Sequence, residues 1–107
     1  IDHCFPFKHW PNNHLWNLLP TAPEVNSGKS DSLPSAQQLH KAEDRILRWW
    51  NQAYRQTDYE SRFYEEAQVA LPLPTEQPTS LDGLLTGLRR QRVRLRTDQR
   101  IAEWSAP

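Results

Sequence analysis

The chain has 107 residues, enough for one small domain. Hydrophobic residues make up 36% and mean hydropathy is −0.87, which is lean, but five tryptophans supply the buried area that a compact core needs. Thirteen basic residues balance thirteen acidic ones, so no global basic field announces nucleic acid, and the single cysteine rules out an intrachain disulfide or a zinc knuckle of paired cysteines.

In chain order, residues 1–34 read as irregular structure with short strands. Ile1 to His3 looks like the end of a strand, and the segments around Pro6 and from Trp10 to Asn13 are rich in turn-forming residues. The apolar run Leu15 to Leu19 predicts a second strand, stopped by Pro20. Thr21 can cap a short helix from Pro23 to about Ser30. Ser35 to Gln38 has the form of a capping box, and Leu39, Ala42, Ile46, Trp50 and Ala53 recur on one helical face, which predicts a helix over 35–55. A second helix over 58–70 carries Phe63, Tyr64 and Ala67, with Leu71 just beyond. Leu71 to Pro78 is a proline-rich, semi-rigid connector. Thr79 or Ser80 caps a last helix over 80–104, with Leu81, Leu84, Leu88, Leu95 and Ala102 as its apolar stripe. Arg89, Arg92, Arg96 and Arg100 form a basic stripe beside it.

Charge follows this division. From Leu81 to Pro107 six arginines face only Asp82, Asp98 and Glu103, whereas Lys41 to Glu66 is close to neutral. The arginine stripe reads as a solvated face, as a clamp on a nucleic-acid backbone, or as a docking face for another part of the protein. There is no signal peptide, no apolar run of membrane-spanning length and no lipidation motif, so a cytoplasmic protein with no membrane partner is expected.

The chemistry concentrates in the first third. Asp2 and His3 are adjacent, and Asn17, Asn26 and Lys29 follow. An oxygen ligand can hold a hard cation, an imidazole can draw a proton from water, and a second ligand can close the metal site; metal-assisted cleavage of a phosphodiester needs that set. Blander roles compete at each position. Asn17 can bridge backbone groups in a turn, Asn26 can cap a helix or turn, and Lys29 can be a solvated side chain. His9 and His14, with His3 and Cys4 nearby, fit no standard zinc spacing. Trp10 and Trp16 read as packing, and Trp49 and Trp50 as half core and half interface, because neighbours on a helix cannot share a face.

These residues carry a resemblance. Asp2-His3, Asn17, Asn26, Gly28 to Asp31 and Leu33-Pro34 resemble the core of an HNH nuclease of the His-Me finger class, most of all the HNH domain of RNA-guided CRISPR effector nucleases and related bacterial HNH proteins. The resemblance covers about a third of the chain. It implies a ββα-metal finger in which His3 is the general base and Asp2 and Asn26 hold one Mg²⁺ or Mn²⁺. Asn17 would fix the His3 ring, Lys29 would lie near backbone phosphate, and the products would carry 5′-phosphate and 3′-hydroxyl ends. Asn26 stands where many members have a third histidine, as in the CRISPR effectors.

The expected architecture is α+β and mostly helical: a truncated ββα-metal finger over 1–34, a helical pair over 35–71, a connector over 72–79 and a C-terminal helix over 80–107. The chain begins at Ile1, without Met, so most of the first strand is expected from an upstream region of a parent protein. The isolated piece would then be weakly active. The expected function is metal-dependent hydrolysis of DNA, with RNA as the other substrate, in restriction or phage defence. The alternative is a non-catalytic nucleic-acid-binding or protein-interaction module that keeps the finger as a scaffold.

Overall fold

A computed structural model describes residues 2–5, 12–19, 33–76 and 79–104; at Asp2 and Trp104 it describes the backbone alone. The architecture is α+β and mostly helical. Strand β1 (Asp2–His3) is followed by a 3-10 turn (Leu15–Asn17), β2 (Leu18–Leu19) and β3 (Leu33–Pro34). Helices α1 (Ala36–Ala53), α2 (Glu60–Ala70) and α3 (Leu81–Asp98) come next, and β4 (Glu103–Trp104) closes the described chain. The short helix expected from Pro23, and with it Asn26 and Lys29, lies outside the described residues.

The strands form two minimal ladders. β1 and β2 pair antiparallel, with Asp2 opposite Leu19 and His3 opposite Leu18. β3 and β4 pair parallel, with Leu33 opposite Glu103 and Pro34 opposite Trp104. The expected second strand over Leu15 to Leu19 is thus half strand. Its first three residues coil instead, burying Trp16 and Asn17 completely.

Helix α1 starts where the capping pattern put it, with the Ser35 side chain accepting from the Gln38 amide at 3.0 Å. Leu39, Ile46 and Trp50 are buried along one face, and Ala42 and Ala53 pack beside them. Helix α2 starts at Glu60, two residues later than Asp58, after a turn in which Gln56 takes a left-handed φ of 58°. It buries Phe63 and Ala67; Phe63 stacks on Tyr54 and tilts against Trp50. The connector lies against α3, where Gly87 leaves room for it: a Cβ at that position would stand 2.5 Å from Leu73 Cδ2 and 3.2 Å from Leu71 Cβ.

Helix α3 is shorter than expected. Ser80 caps it, accepting from Gly83, but it ends at Asp98 rather than near residue 104. Arg100 takes a left-handed φ of 55° just past the cap, reversing the chain so that Ile101 is buried and β4 pairs with β3. The apolar stripe therefore stops at Leu95. Ala102 is exposed and belongs to the return segment, as does Arg100. Helices α1 and α3 pack on each other, α2 packs on the 3-10 turn, and one core joins all three helices to the paired strands. Among the described residues no helix is long and apolar enough to cross a membrane.

Candidate functional site

The β1–β2 ribbon is held from behind by the helices. Trp49 of α1 donates its indole N–H to the Leu18 carbonyl at 2.9 Å, and Trp50 donates to the Trp16 carbonyl at 3.3 Å. From α2, Glu66 accepts the Leu15 amide at 2.9 Å while Arg62 holds its other oxygen. The adjacent tryptophans thus serve two carbonyls of one segment, with Trp50 wholly in the core and Trp49 at its edge. Such charge-free N–H bonds to buried carbonyls set position at little desolvation cost.

Asn17 ties the ribbon to the following turn. Its backbone carbonyl accepts the Cys4 amide at 2.7 Å. Its side-chain Oδ1 accepts the Phe5 amide at 2.9 Å, and its Nδ2 donates to the Asn12 carbonyl at 2.9 Å and to the Phe5 carbonyl at 3.5 Å. Both polar atoms of this fully buried amide are committed to main chain. The Asn17 side chain thus fills the bridging role of a turn asparagine, bonding main chain and not the imidazole.

The ring itself is held by Asn13, whose Oδ1 lies 2.7 Å from His3 Nε2. A carbonyl oxygen only accepts, so in this contact Nε2–H is the donor. Asn13 was missed in the sequence because it sits in a turn-forming Pro-Asn-Asn run, where asparagine needs no further explanation. Its neighbour Asn12 does serve the turn, accepting the His14 amide at 2.9 Å. His14 Nδ1 receives the Trp16 indole and Asn12 Nδ2, both at 3.2 Å.

Asp2 follows the ribbon backbone opposite Leu19, next to His3. Its side chain, Asn26 and Lys29 lie outside what the structure describes. Among the described residues no three His, Cys, Asp or Glu side chains converge on a metal-sized space. By residue type, a carboxylate, an amide oxygen and an imidazole suit a hard cation.

Three of the expected stripe's arginines, Arg89, Arg92 and Arg96, are engaged within the fold. Arg89 pairs with Glu43 of α1 at 2.8 Å. This contact, with His40 also near Glu43, holds the Glu43 carboxyl below its ordinary range, and Glu43 in turn raises Arg89. Arg92, nearly buried, pairs with Glu103 of β4 at 2.7 Å; Arg96 reaches Glu103 at 3.4 Å and the Ile101 carbonyl at 3.2 Å. The expected stripe is therefore broken up: three members clamp α1 and the return strand, and Arg100 is off the helix.

Exposed cations that do form a row sit on α1. Lys41, Arg45 and Arg48 are all exposed, and among the described residues none is paired with a carboxylate. Their i, i+4, i+7 spacing was legible in the sequence, but the near-neutral count over residues 41–66 hid it. A wide groove of about 1050 Å³ lies between α1, α2 and the start of α3; it mixes Arg48 and Arg55 with Glu60, Glu65 and Asp82, and so offers no net attraction to an anion. Comparison of the chain with protein-family models, with curated proteins and with solved structures finds no match.

Proposed function

We propose that the chain is an HNH-type endonuclease domain that hydrolyses DNA phosphodiester bonds with one divalent cation. The observation that carries this reading is the pairing of Asp2-His3 with Leu18-Leu19, with the His3 ring held by Asn13 and the ribbon pinned by Asn17. In a ββα-metal finger, two paired strands bearing an Asp-His dipeptide would be the first half, and the residues beyond β2 would supply the rest.

In this reading His3 is the general base toward the attacking water, while its contact with Asn13 keeps the ring oriented. Asp2 and Asn26 would hold Mg²⁺ or Mn²⁺. When bound, the cation supplies positive charge for the phosphate oxygens and the leaving oxygen. Lys29 would contact backbone phosphate. The tryptophan and Glu66 contacts keep the ribbon in one place, which matters because a displacement of about 1 Å can cost on the order of a hundredfold in rate.

The test is incubation of the chain, alone and within any longer product of its gene, with supercoiled plasmid in Mg²⁺. The reading requires nicked or linear products with 5′-phosphate and 3′-hydroxyl ends, and their loss in EDTA. Uncut plasmid under all these conditions, or cutting that persists in EDTA, overturns it. Cleavage of RNA with plasmid left intact would move the substrate class and retain the chemistry.

A further inference from the structure

We infer that the exposed row Lys41, Arg45 and Arg48 on α1 is the surface that grips the backbone of duplex DNA, in place of the arginines of α3. The inference deepens the nuclease reading and rests on it for the choice of duplex DNA as partner.

The argument starts from which cations are available. Arg89, Arg92 and Arg96 already spend their charge on Glu43 and Glu103, and binding phosphate would mean leaving those partners. Lys41, Arg45 and Arg48 have no such partner among the described residues; the one further contact of Arg48 is its Nε on the Asp44 carbonyl at 3.5 Å. At about 100° per residue the three side chains fall within roughly 60° of one another around the helix. From Lys41 to Arg48 the row runs about 10 Å along the axis, long enough for roughly three phosphates of one strand. Arg55, exposed at the exit of α1, extends the same flank. Asp44 shares it as an exposed carboxylate and lowers the local charge without pairing. Lys41, Arg45 and Arg48 less Asp44 leave two net positive charges within about a Debye length, and these act together on a polyanion.

Position relative to the site supplies the second argument. Arg45 precedes Trp49 by one helical turn, and Trp49 is the residue bound to the Leu18 carbonyl. Leu18 is the strand partner of His3. The row thus adjoins the side chain that anchors the candidate catalytic ribbon, so a strand lying along α1 is led toward it. The α3 arginines instead hold the opposite end of β4 and the α1–α3 seam.

Fluorescence anisotropy with a labelled 20-base-pair duplex, in EDTA so that nothing is cut, tests this. With three phosphate contacts the logarithm of affinity falls with the logarithm of salt at a slope near −3, about a 40-fold loss between 50 and 200 mM. Lys41→Gln, Arg45→Gln and Arg48→Gln should each reduce the slope by about one, the triple variant should lose salt-sensitive binding, and Lys41→Arg should keep the wild-type slope. Arg94→Gln, exposed on α3, should change neither affinity nor slope. Far-UV circular dichroism confirms that the exposed substitutions leave the helices intact. Wild-type affinity and slope in the triple variant, or no duplex binding at 50 mM, overturns the inference. So does binding through this row to phosphatidylserine vesicles or an acidic peptide but not to duplex. The two readings separate cleanly: cleavage that persists without the row removes the row alone, whereas row-dependent binding with no cleavage removes the nuclease and keeps the row.

Discussion

Asn17 is a core amide whose side chain bonds three main-chain groups, and its replacement is a test of stability first. In Asn17→Ala the Phe5 amide loses its Oδ1 acceptor and the Asn12 carbonyl loses its Nδ2 donor, both in buried surroundings. At about 1–3 kcal/mol for each of the two buried groups so deprived, urea unfolding should show a loss of about 2–6 kcal/mol. An unchanged midpoint would mean the turn holds without it. Asn13 differs in kind. It is exposed, so Asn13→Ala should leave the unfolding midpoint unaltered, yet it releases the His3 ring and should lower cleavage by roughly 10–100-fold, the usual effect of losing the partner that orients a site histidine. Undiminished cleavage would remove Asn13 from the site. Residue types and spacing singled out His3 and Asn17, and the fold brings their segments together through the β1–β2 pairing and the Cys4–Asn17 hydrogen bond. Type and spacing did not distribute the contacts, because Asn12 and Asn13 in a loop and Asn17 at the end of a 3-10 turn look alike until the chain is folded.

At the scale of elements, local signals were reliable where local forces decide. Ser35 and Ser80 mark the starts of α1 and α3, and each side chain accepts the amide three residues on. The end of α3 obeyed a tertiary force instead. Burying Ile101 and pairing β4 with β3 outweighs continued helix, at the cost of a left-handed arginine, and no local signal in Asp98 to Ile101 announces it. Arg100→Gly relieves that conformation and should raise stability by about 0.5–1 kcal/mol, read by urea unfolding. A loss would show that the Arg100 side chain contributes more than its backbone costs. The α1–α3 seam carries a pH signature. The Glu43 carboxyl is held below its ordinary value of 4.5, first by its hydrogen bond to Arg89 and then by charge. A depressed carboxylate stabilises the fold fully above the unfolded-state value and ceases to do so as pH falls through the folded-state value. Stability should therefore drop from about pH 5 downward, and Glu43→Gln should show a shallower drop over that range; equal slopes would assign the acid sensitivity elsewhere. With Arg89 half exposed, the effect should not exceed about 1 kcal/mol.

At the scale of the whole molecule, balanced charge conceals an uneven surface. Acidic side chains neutralise the arginines that look most conspicuous in the sequence, and leave unneutralised a row that composition averages away. Two helices, α1 and α2, hold one ribbon through Trp49, Trp50 and Glu66. If His3 is the base of the proposed reaction, these contacts would keep it in place. The most direct measurement compares wild type with His3→Ala on supercoiled plasmid in Mg²⁺, with circular dichroism and thermal unfolding recorded on both. The account predicts nicking by the wild type, none by the variant, and matching unfolding curves. Equal nicking by the two proteins would contradict it.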